Sequence, residues 1–468
     1  MKRIVSLLLV SLLFPLAAVQ ADVKLANIFS DHMVLQRDRD LTIWGWADPG
    51  EKVTVTVGDK TSSAVANDEG KWSAPIKALK LSKEPISIKV AGKNELTLTD
   101  ILVGDVWLCS GQSNMEWSVA ASDNPQEEIK NADWPNIRLI HVKKVPSAEP
   151  QKEVVLQDNW TGWKTCSPAS IPGFSAVGYF FGRELNKETD VPIGLINSSW
   201  GGTRIEPWTP PVGFDAVEKV KDAYKNLDPA KFNHQTPTAL YNGMIHGLVP
   251  FGIKGAIWYQ GESNRGEAMM YHEKKKALIA GWRNVFENPD LSFYFVQLAP
   301  FTYQGSETAL PEIWEAQTAT LKVPNTGMAV ITDIGNLKDI HPRNKQEVGR
   351  RLALWALAKN YGKDLVYSGP LYKSMKVEEN KIRVSFDFAE GLRANDDKDL
   401  TWFQVAGEDG EFVDAKATID NDTILVGSDA VASPRHVRFA WHQLAEPNLV
   451  NGAGLPASPF RSNGPASE

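Results

Sequence analysis

Cysteine is nearly absent: the 468 residues hold two, Cys109 and Cys166. With only eight histidines, that excludes a Cys-rich metal scaffold. Sequence leaves the state of the two thiols open, because it gives no Cα–Cα distance. They could bridge in an oxidising compartment, or Cys109 could be a buried thiol at a strand end. A basic excess is missing too. The net charge is −7, which argues against a nucleic-acid partner. No apolar run is long enough to span a bilayer. The run at 4–16 follows Lys2 and Arg3 and precedes Val19-Gln20-Ala21, small residues at the spacing a signal peptidase reads. Residues 1–21 are therefore expected to be a signal peptide cut before Asp22. The mature chain is expected to be soluble and exported, periplasmic or secreted. No Cys follows the cut, so no lipid anchor is expected.

What is present falls into three parts. From 22 to 103 the hydrophobic pattern has period two, as in Val53-Thr54-Val55-Thr56-Val57, with turn signals such as Asp48-Pro49-Gly50 between runs. This predicts a small antiparallel β domain, a sandwich expected to be a scaffold packed on the catalytic domain rather than a carbohydrate-binding module, since nothing marks an exposed aromatic face. From 104 to 362 strands and helices alternate, which predicts a parallel sheet with helices on both faces. Helices are expected at 175–187, at 269–286, from Pro311, and at 342–361. Strands are expected at 101–108, 192–197, 253–259, 292–298 and 328–332. The run 137–142 reads as an edge strand or excursion, and 213–246 has no clear pattern. From 363 to 468 period two returns, predicting a second β unit. The sixteen Trp are expected mostly in the core.

The run 101–108 ends in Cys109-Ser110-Gly111-Gln112-Ser113-Asn114-Met115. A serine on a tight turn, at the carboxyl end of a parallel strand, stands where open α/β sheets place ligands. Ser113 is thus a candidate nucleophile, although the stretch alone reads more simply as a polar helix cap. Three later segments change the balance. Trp200-Gly201-Gly202-Thr203-Arg204 follows a strand and can aim a backbone N–H at a ligand. Gln260-Gly261-Glu262-Ser263-Asn264 follows another, with side-chain donors in Gln260 and Asn264 and a carboxylate in Glu262 that can orient neighbours. Each alone could be an ordinary polar turn. The last is Asp339-Ile340-His341-Pro342. In an extended segment residues two apart point the same way, and Pro342 biases His341 toward extension. The Asp339 carboxylate can then reach His341 Nδ1–H and leave Nε2 as the acceptor a serine nucleophile needs. Pro342 is expected to open the following helix.

These motifs in this order resemble the sialate O-acetylesterase family of SGNH hydrolases. The likeness extends to Phe174-Ser175-Ala176, to Leu240-Tyr241-Asn242-Gly243-Met244, and to the terminal Gly454-Leu455-Pro456-Ala457-Ser458-Pro459-Phe460-Arg461. The resemblance implies an SGNH-type, flavodoxin-like parallel sheet flanked by helices, with β-sandwich-like domains at both ends. It implies Ser113 as nucleophile, His341 as base and Asp339 as its partner. The oxyanion hole would be Ser113 N–H, one glycine of the Gly201-Gly202 pair, and the Gln260 side chain. Asn114, Glu262, Asn264 and Arg204 would support the site or bind substrate. One departure is Trp314, where Arg is expected, and this bears on sugar specificity.

The expected activity is removal of O-acetyl groups from carbohydrates, with acetylated sialic acid as the substrate the family name suggests. Acetylxylan or another plant polysaccharide is the alternative. A carbohydrate-binding protein that has lost catalysis is the rival of another class. The chemistry calls for no metal and no cofactor. Asp339 is expected to raise the pKa of His341.

Overall fold

The computed structural model describes residues 22–465, and the segment expected to be a signal peptide lies outside them. The fold is built on one long strand, β1 (Glu95–Gly111). Up to Asp100 its residues alternate between exposed and half-buried. From Ile101 onward every residue is buried. The first half pairs antiparallel with Ser82–Ala91 in the amino-terminal β unit. The second half lies between parallel strands on both sides, which is why Val106, Trp107 and Leu108 show no alternation. The division expected at 103 and 104 thus falls inside a continuous strand. Asp105, buried in it, is satisfied by Arg37 at 2.8 Å and Gln36 at 2.8 Å from the amino-terminal unit.

The central sheet continues with β2 (Trp134–His141), β3 (Lys164–Cys166), β4 (Ile193–Ser199), β5 (Gly255–Tyr259), β6 (Ser292–Val296) and β7 (Thr326–Ala329). The order is β3-β2-β4-β1-β5-β6-β7. Every neighbouring pair is parallel except β3 with β2. The segment expected as an edge or excursion, β2, is therefore a parallel strand with β3 outside it. With both β3 and β2 set aside, the order β4-β1-β5-β6-β7 is the 2-1-3-4-5 winding of a doubly wound sheet, and it reverses between β1 and β5.

The helices are α1 (Ala176–Thr189), α2 (Met269–Val285), α3 (Ala309–Ala319) and α4 (Lys345–Asn360). α1 packs on α4 and α2 on α3. Two starts differ from expectation. α3 opens at Ala309, because Pro311 within the first turn has no intrahelical acceptor to lose. α4 opens at Lys345, because Asn344 is the cap and accepts Glu347 N–H at 3.0 Å. Residues 341–343 are thereby left outside the helix, free to face the nucleophile.

The carboxyl-terminal part holds two four-stranded antiparallel sheets around a core of its own. The amino-terminal β unit and the α/β part share one core. The terminal motif seals the last unit to the rest: Gln297 donates to Ser458 Oγ at 3.0 Å, and Arg461 pairs with Glu315 of α3 at 2.8 Å. Cys109 and Cys166 are both free and buried, so the bridge left open by sequence is not made. Among the described residues no helix is long and apolar enough to cross a membrane.

Candidate active site

β1 ends where it meets the end of β5. Gly111 has φ 135°, and a Cβ there would lie 2.2 Å from the Tyr259 carbonyl oxygen. Glycine alone permits this approach. Gln112 N–H then donates to the same carbonyl at 2.9 Å. Ser113 heads the single helical turn Ser113–Glu116. The nucleophile candidate therefore sits at the reversal between β1 and β5.

His341 arrives from the loop before α4. Its Nε2 lies 2.9 Å from Ser113 Oγ. Asp339 Oδ1 accepts the backbone N–H of His341 at 3.0 Å and stands 3.5 Å from Nδ1. The backbone bond pins the carboxylate beside the ring, close enough to tighten onto Nδ1–H once the imidazole becomes charged. Trp117 stacks on the imidazole with centroids 4.7 Å apart and planes at 16°. Ser113, His341 and Asp339 are thus brought together as the sequence implied.

The pKa of His341 departs from the expected direction. Burial and the nearby Lys345 ammonium lower it, and together they outweigh the upward pull of Asp339. A base held below the ordinary histidine value stays unprotonated to lower pH. The acid limb of kcat/KM is therefore expected below the ordinary histidine midpoint of about 6.5, read from a pH–rate profile. A limb above that midpoint would mean that the ring is more exposed in solution than here.

The oxyanion donors divide differently from expectation. No described residue accepts the Ser113 N–H, as befits the first turn of a helix. Gly201 packs on the nucleophile, since a Cβ there would lie 3.2 Å from Ser113 Cβ. Its N–H, however, donates to Glu116 Oε2 at 2.7 Å, and Glu116 also pairs with Lys144. Gly202, at φ 74°, has an N–H that no described residue accepts.

Gln260 is not an oxyanion donor. It is fully buried, and its amide donates to the Thr203 carbonyl at 3.1 Å and to Asn264 Oδ1 at 2.7 Å. Its own oxygen accepts from Tyr271 OH at 2.9 Å. Both N–H bonds are spent inside the fold, so Gln260 joins the Gly201-Gly202 loop to α2. Asn264 is likewise saturated. Its oxygen also accepts from Ile205 N–H at 3.1 Å, and its amide donates to Glu206 at 3.1 Å and Glu267 at 3.0 Å. Arg204 lies in the same cluster, bonded to Glu206 at 2.9 Å, to Glu267, and to the Ser263 carbonyl at 3.1 Å. These contacts make Arg204 a brace of the loop. Burial would raise the Glu206 carboxyl, but Lys274 and Arg204 bring it down to about 2. Gln260→Ala should leave several buried partners unpaired and lower stability by about 2–4 kcal/mol. Its kcat should fall less than the roughly 10²-fold that marks loss of an oxyanion donor. Thermal melting and steady-state kinetics check both halves.

Asn114 and Glu262 do reach the site. Asn114 Nδ2 donates to Glu262 Oε1 at 2.7 Å and to the carbonyl of Ile340, just before His341, at 3.0 Å. Trp314 is fully buried, and its indole N–H donates to the Leu298 carbonyl at 2.7 Å. Its position serves the core of α3 rather than a substrate. The Phe174 segment is the wall behind the nucleophile: Ser175 Oγ donates to the Met115 carbonyl at 2.6 Å and caps α1 by accepting Gly178 N–H at 3.1 Å. Sequence reasoning missed Glu116, Trp117 and Lys345. The first two directly follow the nucleophile motif, and that adjacency was a signal. Lys345 carried none.

An open α/β sheet with a serine, an imidazole and a carboxylate in line at its reversal point is an arrangement that can carry out acyl transfer. The chain belongs to the family described as carbohydrate esterase, sialic acid-specific acetylesterase, whose model matches residues 103–358. It is 32% identical over 424 residues to the sialate O-acetylesterase of Homo sapiens, covering 82% of this chain and 80% of that one. It is 30% identical over 482 residues to that of Mus musculus, covering 89% of each. Among solved structures, a carbohydrate acetylesterase from Xanthomonas citri superposes with a TM-score of 0.87 at 39% identity. That match covers 94% of this chain and 100% of the other.

Proposed function

We propose that this protein is a sialate O-acetylesterase working by serine catalysis on an SGNH-type sheet. The 2.9 Å contact between Ser113 Oγ and His341 Nε2 carries the reading. Ser113 Oγ attacks the acetyl carbonyl while His341 Nε2 takes its proton. Asp339 holds Nδ1–H and stabilises the imidazolium as it forms. The oxyanion is met by the N–H groups of Ser113 and Gly202, which have no other acceptor among the described residues. The sugar hydroxyl leaves with the proton from His341, and water, activated by the same ring, releases acetate from the acetyl-serine. The relatives' names support acetylated sialic acid as the substrate. The SGNH-type reading draws support from the sheet order and from the placement of Ser113 at the first strand end and His341 on the last loop.

Acetate release from a panel of O-acetylated sialosides, xylo-oligosaccharides and pectins tests the substrate. Sialosides should be turned over with the highest kcat/KM. Preference for the xylo-oligosaccharides would move the protein to plant polysaccharides, and no release from any would favour the binding-protein alternative. The leader-like residues 2–21 support export, and the exported chain should begin at Asp22 by intact mass.

A further inference from the structure

Lys345 takes no part in the reaction as derived, yet it is wholly buried beside it. It is the first residue of α4, where a cation opposes the helix dipole. No carboxylate among the described residues lies within ion-pair distance of its Nζ. Such a charge is expensive to bury. Its neighbours are Asn114 Oδ1 at 2.5 Å and the rings of Tyr259 and Trp117, 5.2 and 5.9 Å away.

The other end of the Asn114 amide explains what this arrangement could do. One side chain links the nucleophile turn to Glu262 after β5, to the Ile340 carbonyl and to the head of α4. Moving Lys345 would free the oxygen of the Asn114 amide, whose nitrogen holds the peptide that carries His341. Trp117, which Lys345 also approaches, stacks on the His341 ring.

We propose that Lys345 is a positioning residue for the reaction: through Asn114 it fixes the Ile340-His341 segment on Ser113, and its charge favours the neutral imidazole that accepts the Ser113 proton. The proposal rests on His341 being the base. The charged groups around the pair are few. Asp339 faces His341 and opposes Lys345, while Glu262, Asp339 and Asp123 favour the charged form of Lys345. Burial outweighs these three and brings Lys345 down to about 7. Its charge is therefore present on the acid side, where protonation of His341 would stop the reaction.

The test is Lys345→Met in the full-length protein, read two ways. The titration of His341 is followed by NMR of ring-labelled histidine. The pH dependence of Ser113 labelling is followed with a fluorophosphonate. In the Met variant both should move to higher pH, and kcat on p-nitrophenyl acetate should fall roughly 10–100-fold with little change in KM. Lys345→Gln retains a donor for Asn114 without the charge. It should show the same pH shift with a smaller loss of kcat, and it carries the test if the Met variant does not fold. A His341 titration unchanged from wild type in a folded variant overturns the proposal. Failure of the fluorophosphonate to label wild-type Ser113 would instead overturn the serine-esterase reading, which separates the two.

Discussion

Ser113→Ala is expected to lower kcat on acetyl esters by on the order of 10⁶, with KM and the far-UV spectrum little changed. The size follows from the geometry. Ser113 Oγ stands 2.9 Å from His341 Nε2, and removing it leaves the base with nothing to activate except water. The backbone N–H groups survive the change, so the residual rate is what those donors and substrate binding alone provide. Alanine also keeps the helical turn, whose bonds run through the backbone from Met115 and Glu116 to the Gln112 carbonyl at 2.9 and 3.0 Å. Steady-state hydrolysis of p-nitrophenyl acetate measures the loss. A variant within tenfold of wild type would mean that another hydroxyl is the nucleophile, and the buried Ser110, whose hydroxyl has no partner among the described residues, would be the next to replace.

Asp339→Asn is expected to have the second largest effect, a fall in kcat of up to about 10⁴. That figure is what the corresponding change costs in a serine protease, where the wrong tautomer of the base is favoured. The same tautomer argument applies here. The asparagine oxygen can still accept the His341 N–H that Asp339 accepts at 3.0 Å, so the loop should hold its shape. What is lost is the negative charge facing Nδ1, now 3.5 Å away. The variant should therefore lose kcat and keep KM. Full activity would require another carboxylate to serve the ring. Asp333 is not available for that role, because both of its oxygens are held by Arg351 at 2.6 Å.

Much of the site was legible because its chemistry is local. Gly111 sits where the turn needs it, and Asp339 and His341 are two residues apart in a segment that proline keeps extended. Gln260 was misread because a polar side chain at a strand end can face the pocket or the interior with equal ease. Nothing in the sequence says that Asn264, Thr203 and Tyr271 close around its amide. Lys345 was invisible for a related reason, since lysine at a helix start ordinarily reads as a surface residue. In the fold, the alternating segments came through with their type correct, while the start of α4 moved from Pro342 to Lys345. The Asn344 cap decided it. The seam inside β1 was also hidden: burial begins at Ile101, just after Asp100 bends the strand at φ 55°, and no glycine marks that bend in the sequence.

The central claim is that acetyl groups pass through Ser113, and peptide mass spectrometry tests it most directly. The wild-type protein is exposed briefly to p-nitrophenyl acetate, quenched in acid and digested. The peptide carrying Ser113 should bear an acetyl group at that residue, and the label should be absent from the Ser113→Ala protein. Acetate turnover with the acetyl group on a different residue, or with no covalent species at Ser113 under any quench, would contradict the account.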